Sequence, residues 1–148
     1  MKEKKINIKV LNENATIPTY GSEFSAGADL YSNIEKDITI KPGETILIPT
    51  GVSFEIPTGL VGLVFARSSI ATKEGLAPAN KVGVIDSDYR GEIFVPIHNH
   101  SKGKGTITDK ERIAQIIFMP YVKGNFNIVS DLSETKRGKG GFGSTGKK

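Results

Sequence analysis

Apolar residues recur along this chain with a period of two, and that rhythm points to an all-β fold. Ile6, Ile8 and Val10 alternate with Asn7 and Lys9. Ile38-Thr39-Ile40, Thr45-Ile46-Leu47-Ile48, Val52-Ser53-Phe54-Glu55-Ile56, Leu60 to Phe65 and Ile93-Phe94-Val95-Pro96-Ile97 continue it. Successive side chains of an extended strand point to opposite faces, so such runs place one face on a core. Their β-branched residues suit a pleated surface. Between the runs stand Lys41-Pro42-Gly43, Pro49-Thr50-Gly51 and Pro57-Thr58-Gly59. Proline presets φ at one turn position and glycine supplies positive φ at another. Strand and turn alternate at intervals of about ten residues, which predicts a β-barrel or sandwich. Only the stretch from Arg67 to Gly75 suits a helix, a short one closed by Gly75.

A chain of 148 residues is about the length of one domain. It shows no internal repeat and no linker between two domains. It has no cysteine, which excludes disulfides and thiolate metal sites. No uninterrupted apolar run is long enough for a signal sequence or a membrane span, so the expected location is cytoplasmic. The net charge of +4 hints at a polyanionic partner. Much of that excess lies in Lys136, Arg137, Lys139, Lys147 and Lys148, where a solvated basic tail explains it as well. The strands carry no interleaved basic and aromatic stripe, so neither a nucleic-acid surface nor a membrane contact is expected.

Five segments could carry chemistry. The first is Gly27-Ala28-Asp29-Leu30-Tyr31, where a carboxylate among apolar neighbours is either solvent-facing or recruited by a cation. The second is Phe65-Ala66-Arg67-Ser68-Ser69-Ile70-Ala71. Here an arginine and two hydroxyls open a helix; the group either grips an anion or supplies an N-cap from Ser68 or Ser69. The third is Gly83-Val84-Ile85-Asp86-Ser87-Asp88-Tyr89-Arg90-Gly91-Glu92-Ile93, a hairpin or sharp corner. Asp86 at a strand end could face a cleft and serve as a general base; alternatively both aspartates merely shape the turn. The fourth is Glu111 to Phe118, where Arg112 and Gln115 interrupt an apolar strand and need partners if buried.

The fifth segment is the C-terminal tail, with glycine at 138, 140, 141, 143 and 146. So many glycines make ordering costly, and the tail by itself is expected to be mobile. Bare backbone N–H groups beside Ser144 and Thr145, with basic residues nearby, could cradle phosphate; a solubilising tail is the other reading. Gly141 to Lys147 follows the spacing of a Walker A loop, but the next residue is Lys148 rather than serine or threonine. His98 and His100 read as ordinary surface residues.

Taken together and in this order, the five segments resemble the trimeric dUTPase family. The likeness runs from Ala26-Gly27-Ala28-Asp29-Leu30 to Phe142-Gly143-Ser144-Thr145-Gly146. It implies an all-β jelly-roll barrel with one short helix, residues 1–136, followed by a flexible glycine-rich flap, residues 137–148. It implies a homotrimer whose active sites each draw segments from all three subunits. It implies Mg²⁺-dependent hydrolysis of dUTP to dUMP and pyrophosphate, which keeps uracil out of DNA and supplies dUMP for thymidylate synthesis. By this resemblance Asp86 activates the water that attacks the α-phosphorus. Tyr89 packs on deoxyribose and disfavours a 2′-hydroxyl. Asn80 and the backbone around Val84, Ile85 and Phe94 read uracil. Arg67, Ser68, Ser69 and Gln115 bind phosphate, and Asp29 meets magnesium through water. Arg137, Phe142, Gly143, Ser144 and Thr145 form the flap, with Phe142 stacked on the base. The family often has glycine where this chain has Ser69; serine keeps the backbone N–H a phosphate would use.

Three rivals stand beside this reading. A dCTP deaminase resembles the same fold, but that family has a further arginine after its Arg-Ser-Ser. Here Ser69 is followed by Ile70-Ala71-Thr72-Lys73. A nucleotide-sensing module that contacts a protein partner and a basic nucleic-acid binder are the other two.

Overall fold

The computed structural model describes residues 3–141. Twelve strands and one helix follow one another, all strand pairs antiparallel. The central layer has the order β2-β3-β12-β7-β9. These strands are β2 (Thr19–Tyr20), β3 (Ala28–Tyr31), β12 (Arg112–Pro120), β7 (Leu60–Phe65) and β9 (Gly83–Ile85). A second sheet has the order β5-β10-β8, formed by β5 (Thr45–Pro49), β10 (Phe94–Asn99) and β8 (Leu76–Pro78). The pairs β1 (Asn7–Val10) with β6 (Val52–Glu55) and β11 (Gly105–Ile107) with β4 (Ile38–Ile40) complete the walls. The helix α1 (Ser68–Lys73) follows β7 directly.

One core joins all the sheets. Leu30, Ile40, Ile48, Leu76, Ile93, Ile97, Ile107, Ile113 and Ile116 are fully or almost fully buried within a single cluster. Closing the sheets around one core gives the all-β fold that the period-two pattern called for, in the barrel form that the family resemblance implied. The alternation is clean in β10, where Val95, Ile97 and Asn99 face inward. It fails in β6, whose Val52, Ser53 and Phe54 are all buried because that strand is covered on both faces.

The three expected turns hold, each with glycine at positive φ: Gly43 at 76°, Gly51 at 68° and Gly59 at 88°. Gly51 could hardly be anything else. A Cβ there would run into the Asn33 amide and the Ala15 side chain. This turn is also tied to the segment ahead of β10. The Thr50 hydroxyl donates to the Ile93 carbonyl at 2.7 Å, and the Gly51 N–H donates to the Glu92 carboxylate at 2.8 Å.

Two local alternatives are decided. Neither Ser68 nor Ser69 is an N-cap: Arg67 holds that position in extended conformation, and no side chain caps the helix. The helix itself covers six residues, and Gly75 follows its last cap at φ +68° as expected. The segment around Asp86 is a corner rather than a paired hairpin. β9 pairs with β7, whereas β10 pairs with β5 and β8, so the chain crosses between sheets there.

The last strand ends at Pro120, well before residue 136. Residues 121–141 form no helix or strand. Val122, Phe126 and Ile128 are 96–97% exposed in the chain by itself.

Candidate functional site

The expected site residues fall in two places on the chain. The first is the corner between β9 and β10. Val84, Ile85, Asp86, Tyr89, Glu92, Ile93 and Phe94 line a cleft of about 210 Å³ there. Asp86 is exposed at its rim, while Val84 and Phe94 are apolar yet 62% and 46% exposed. The corner is built by short backbone bonds: the Tyr89 N–H donates to the Asp86 carbonyl at 3.2 Å. The Tyr89 hydroxyl donates to the Glu92 carbonyl at 3.0 Å, which lays the ring back over Gly91. A side chain at Gly91 would collide with that ring, so glycine is what lets Tyr89 lie flat along the corner. The Arg90 guanidinium donates to the Ser87 carbonyl at 2.7 Å and closes the turn from outside. Asn80 sits close by, its amide against Gly83 at the start of β9.

The second place is the end of the β3–β12–β7 ladder. Asp29 is 8% exposed, and its carboxylate is shared by two arginines. Arg67 donates from Nε to Oδ1 at 2.7 Å, and Arg112 donates from Nη1 to Oδ2 at 3.4 Å. Asp29 is thus recruited by cations, and both belong to the chain itself. Arg67 also reaches the Ser69 hydroxyl at 3.2 Å and the Arg112 carbonyl at 3.4 Å. Gln115 donates from Nε2 to the Ala66 carbonyl at 2.9 Å, and its other amide atom presses on Gly27. It braces the segment that carries Arg67, Ser68 and Ser69. Ser68 and Ser69 are exposed beside it. Two guanidiniums against one carboxylate leave a net positive charge, suited to a polyphosphate.

Arg112 had been noted only as a polar residue in need of a partner; Asp29 is that partner. Glu92 had no assigned part, yet it lines the cleft and ties it to the Gly51 turn. Its position at the end of the corner motif was the only hint. None of the phosphate-cluster residues lines the cleft. Arg137 joins neither group; its Nε donates to the Gly140 carbonyl at 2.9 Å in a local turn. Phe142, Gly143, Ser144 and Thr145 lie outside the described residues.

A larger cavity of about 850 Å³ opens beside Ile6, Tyr20, Leu60, Phe118 and Pro120. It lies at the opposite end of the β7–β12 ladder from Gln115 and Phe65, and no expected site residue lines it. Among the described residues, no helix is long and apolar enough to cross a membrane, and no group of three or more His, Asp or Glu gathers as a metal cage.

Known proteins resemble this chain over almost its whole length. A family model described as dUTPase matches residues 13–146. The deoxyuridine 5′-triphosphate nucleotidohydrolase of Nautilia profundicola is 50% identical over 143 residues, covering 97% of this chain and 99% of the relative. That of Desulfitobacterium hafniense is 50% identical over 131 residues, covering 88% and 87%. Among solved structures, a variant of the Staphylococcus bacteriophage 80alpha dUTPase with dUpNHpp superposes with a TM-score of 0.89 at 27% identity, covering 97% and 99%. A variant of the dUTPase from phage phi11 of S. aureus, whose structure shows coordination of a structural Mg(II) ion, has a TM-score of 0.78 at 25% identity, covering 86% and 98%. With a corner cleft, an arginine cluster and a match over almost the whole length, the chain belongs to the dUTPase family.

Proposed function

We propose that this chain hydrolyses dUTP to dUMP and pyrophosphate, with Asp86 as the base that activates water. The observation that carries the reading is the corner cleft, which joins an exposed carboxylate to apolar walls. The walls of Val84, Ile85 and Phe94 suit a flat base, and Asn80 beside β9 can read its polar edge. Tyr89, held against Gly91 by its bond to Glu92, offers a flat surface to deoxyribose and crowds a 2′-hydroxyl. A neutral water is a weak nucleophile. An ionised carboxylate within hydrogen-bond reach contributes roughly 10²- to 10⁴-fold. Asp86 takes the proton as the water oxygen bonds to the α-phosphorus and pyrophosphate leaves.

Arg67, with Ser68 and Ser69, binds the phosphates and offsets the charge that develops on them. Gln115 holds the Ala66 carbonyl and so fixes where Arg67 begins. The donor set fits Mg²⁺ carried by the triphosphate: no protein cage gathers among the described residues, and the Asp29 oxygens, already bonded to arginines, remain able to accept from metal-bound water. Bound magnesium would supply further positive charge at the phosphates. Residues 137–148 act as a flap, with Phe142 covering the base and the Ser144 and Thr145 hydroxyls meeting the phosphates. Such closure excludes water and completes the site.

The working unit is a homotrimer with sites shared between subunits. Two observations support it. Arg67, Arg112, Asp29 and Gln115 line no part of the corner cleft of the same chain. Val122, Phe126, Ile128 and Leu132 are exposed to a degree that apolar side chains of a lone soluble chain seldom reach. The test is pyrophosphate release from a panel of deoxynucleoside triphosphates, with and without magnesium, alongside ammonia release from dCTP. Turnover confined to dUTP and dependent on the metal is expected. An inert dUTP, or ammonia from dCTP, would overturn the assignment.

A further inference from the structure

We propose that His98 and His100 form a two-imidazole chelate for a late first-row divalent ion such as Zn²⁺, Ni²⁺ or Cu²⁺. Residues two apart in extended backbone share a face, and His100 stands one residue past the end of β10, two on from His98. Here Asn99 points into the core between them, fully buried, which directs both histidines outward. Their ring centroids lie 4.4 Å apart, with 60° between the planes. That spacing lets both rings turn a nitrogen toward the same ion.

The pair is held in place before any ion arrives. His98 Nδ1 and the Thr45 hydroxyl share a hydrogen bond of 2.8 Å across the β5–β10 register. When Nδ1–H donates to that oxygen, the Nε2 lone pair is free. A metal-bound histidine typically gives its second N–H to such a partner, which fixes tautomer and ring orientation. Below the other ring, the His100 N–H donates to the Gly75 carbonyl at 2.8 Å. The Asn99 amide, bonded to the Ile40 and Gly103 carbonyls at 2.8 Å, locks the backbone between the two.

Imidazole nitrogen selects late transition ions over magnesium, which prefers oxygen. The site is therefore chemically separate from the one at the phosphates. Water fills the remaining positions, since no third ligating side chain gathers among the described residues.

Equilibrium dialysis of the untagged full-length protein against Zn²⁺ tests this. Saturable uptake is expected, lost in both His98→Ala and His100→Ala. Thr45→Val, which removes the Nδ1 partner, should weaken it by roughly 10- to 100-fold. Release of pyrophosphate from dUTP with magnesium should stay at the wild-type rate in all three, showing that they fold. A wild-type protein that takes up no Zn²⁺, or histidine variants that take up as much as wild type, would overturn the site.

Discussion

A carboxylate that primes water must be ionised and reachable, and Asp86 meets the second demand by standing exposed at the rim of its cleft. Asp86→Asn keeps the size and removes the charge. Its kcat for dUTP should fall by roughly 10²- to 10⁴-fold with KM little changed, measured as pyrophosphate release. Unaltered turnover would mean that another group takes the proton. Asp29 is a different kind of acid, a positioning residue for two guanidiniums. Asp29→Asn should raise KM, because Arg67 loses its anchor. It should cost about 1 to 3 kcal/mol of stability, read by urea unfolding, as a buried polar contact is lost. At both positions the sequence told the residue type and left its partner open. Asp86 was legible because it lies within one short corner. The partners of Asp29 were not, since Arg67 and Arg112 stand 38 and 83 residues away and only the sheet register brings them together.

At the scale of elements, the long alternating runs emerge as strands at nearly their expected bounds, whereas β2, β3, β8 and β11 had not been anticipated. β2, β8 and β11 are only two or three residues long, and β8 and β11 include Pro78 and Gly105, so their conformation comes from the strands they pair with. β12 is the opposite case, paired on both sides, with Ile116 fully buried at its middle. Ile116→Ala should cost about 2 to 5 kcal/mol in chemical unfolding, through lost burial and the cavity left behind. Helix α1 ends on a misplaced charge. The Glu74 pKa is raised, first by burial and then by the Glu111 carboxylate. A raised pKa means that the folded state favours the neutral acid. The stabilisation this gives is fully present below the ordinary value of 4.5 and is lost as pH rises through the raised one. Ionised Glu74 also sits at the negative end of the helix. Glu74→Gln should therefore stabilise the protein at neutral pH by about 0.3 to 1 kcal/mol. The gain should vanish in melts run below the ordinary carboxylate pKa, and a gain independent of pH would contradict this account.

For the molecule as a whole, two truncations separate the roles of the C-terminal chain. Ending the protein at Lys136 removes the proposed flap and leaves Phe126, Ile128 and Leu132 in place. Turnover should drop severely while the oligomer, followed by light scattering, stays intact. Ending it at Pro120 removes those apolar side chains too, and the oligomer should dissociate. If the shorter flap deletion already scatters as a monomer, residues 137–148 serve in assembly rather than closure. The all-β class was readable in the two-residue rhythm, which left barrel and sandwich both open. The exposed stretch after Pro120 was not, because Phe126, Asn127, Ile128 and Val129 look like an ordinary strand when no neighbour is in view.

The arginine cluster lines no part of the corner cleft on the same polypeptide, and under the proposed sharing of sites between subunits this has a genetic reading. A defect in one need not be inherited by every catalytic centre of a mixed assembly. Chains bearing Asp86→Asn, unfolded and refolded together with chains bearing Arg67→Ala, should regain turnover that neither population shows alone. Two broken alleles would then complement each other inside one particle.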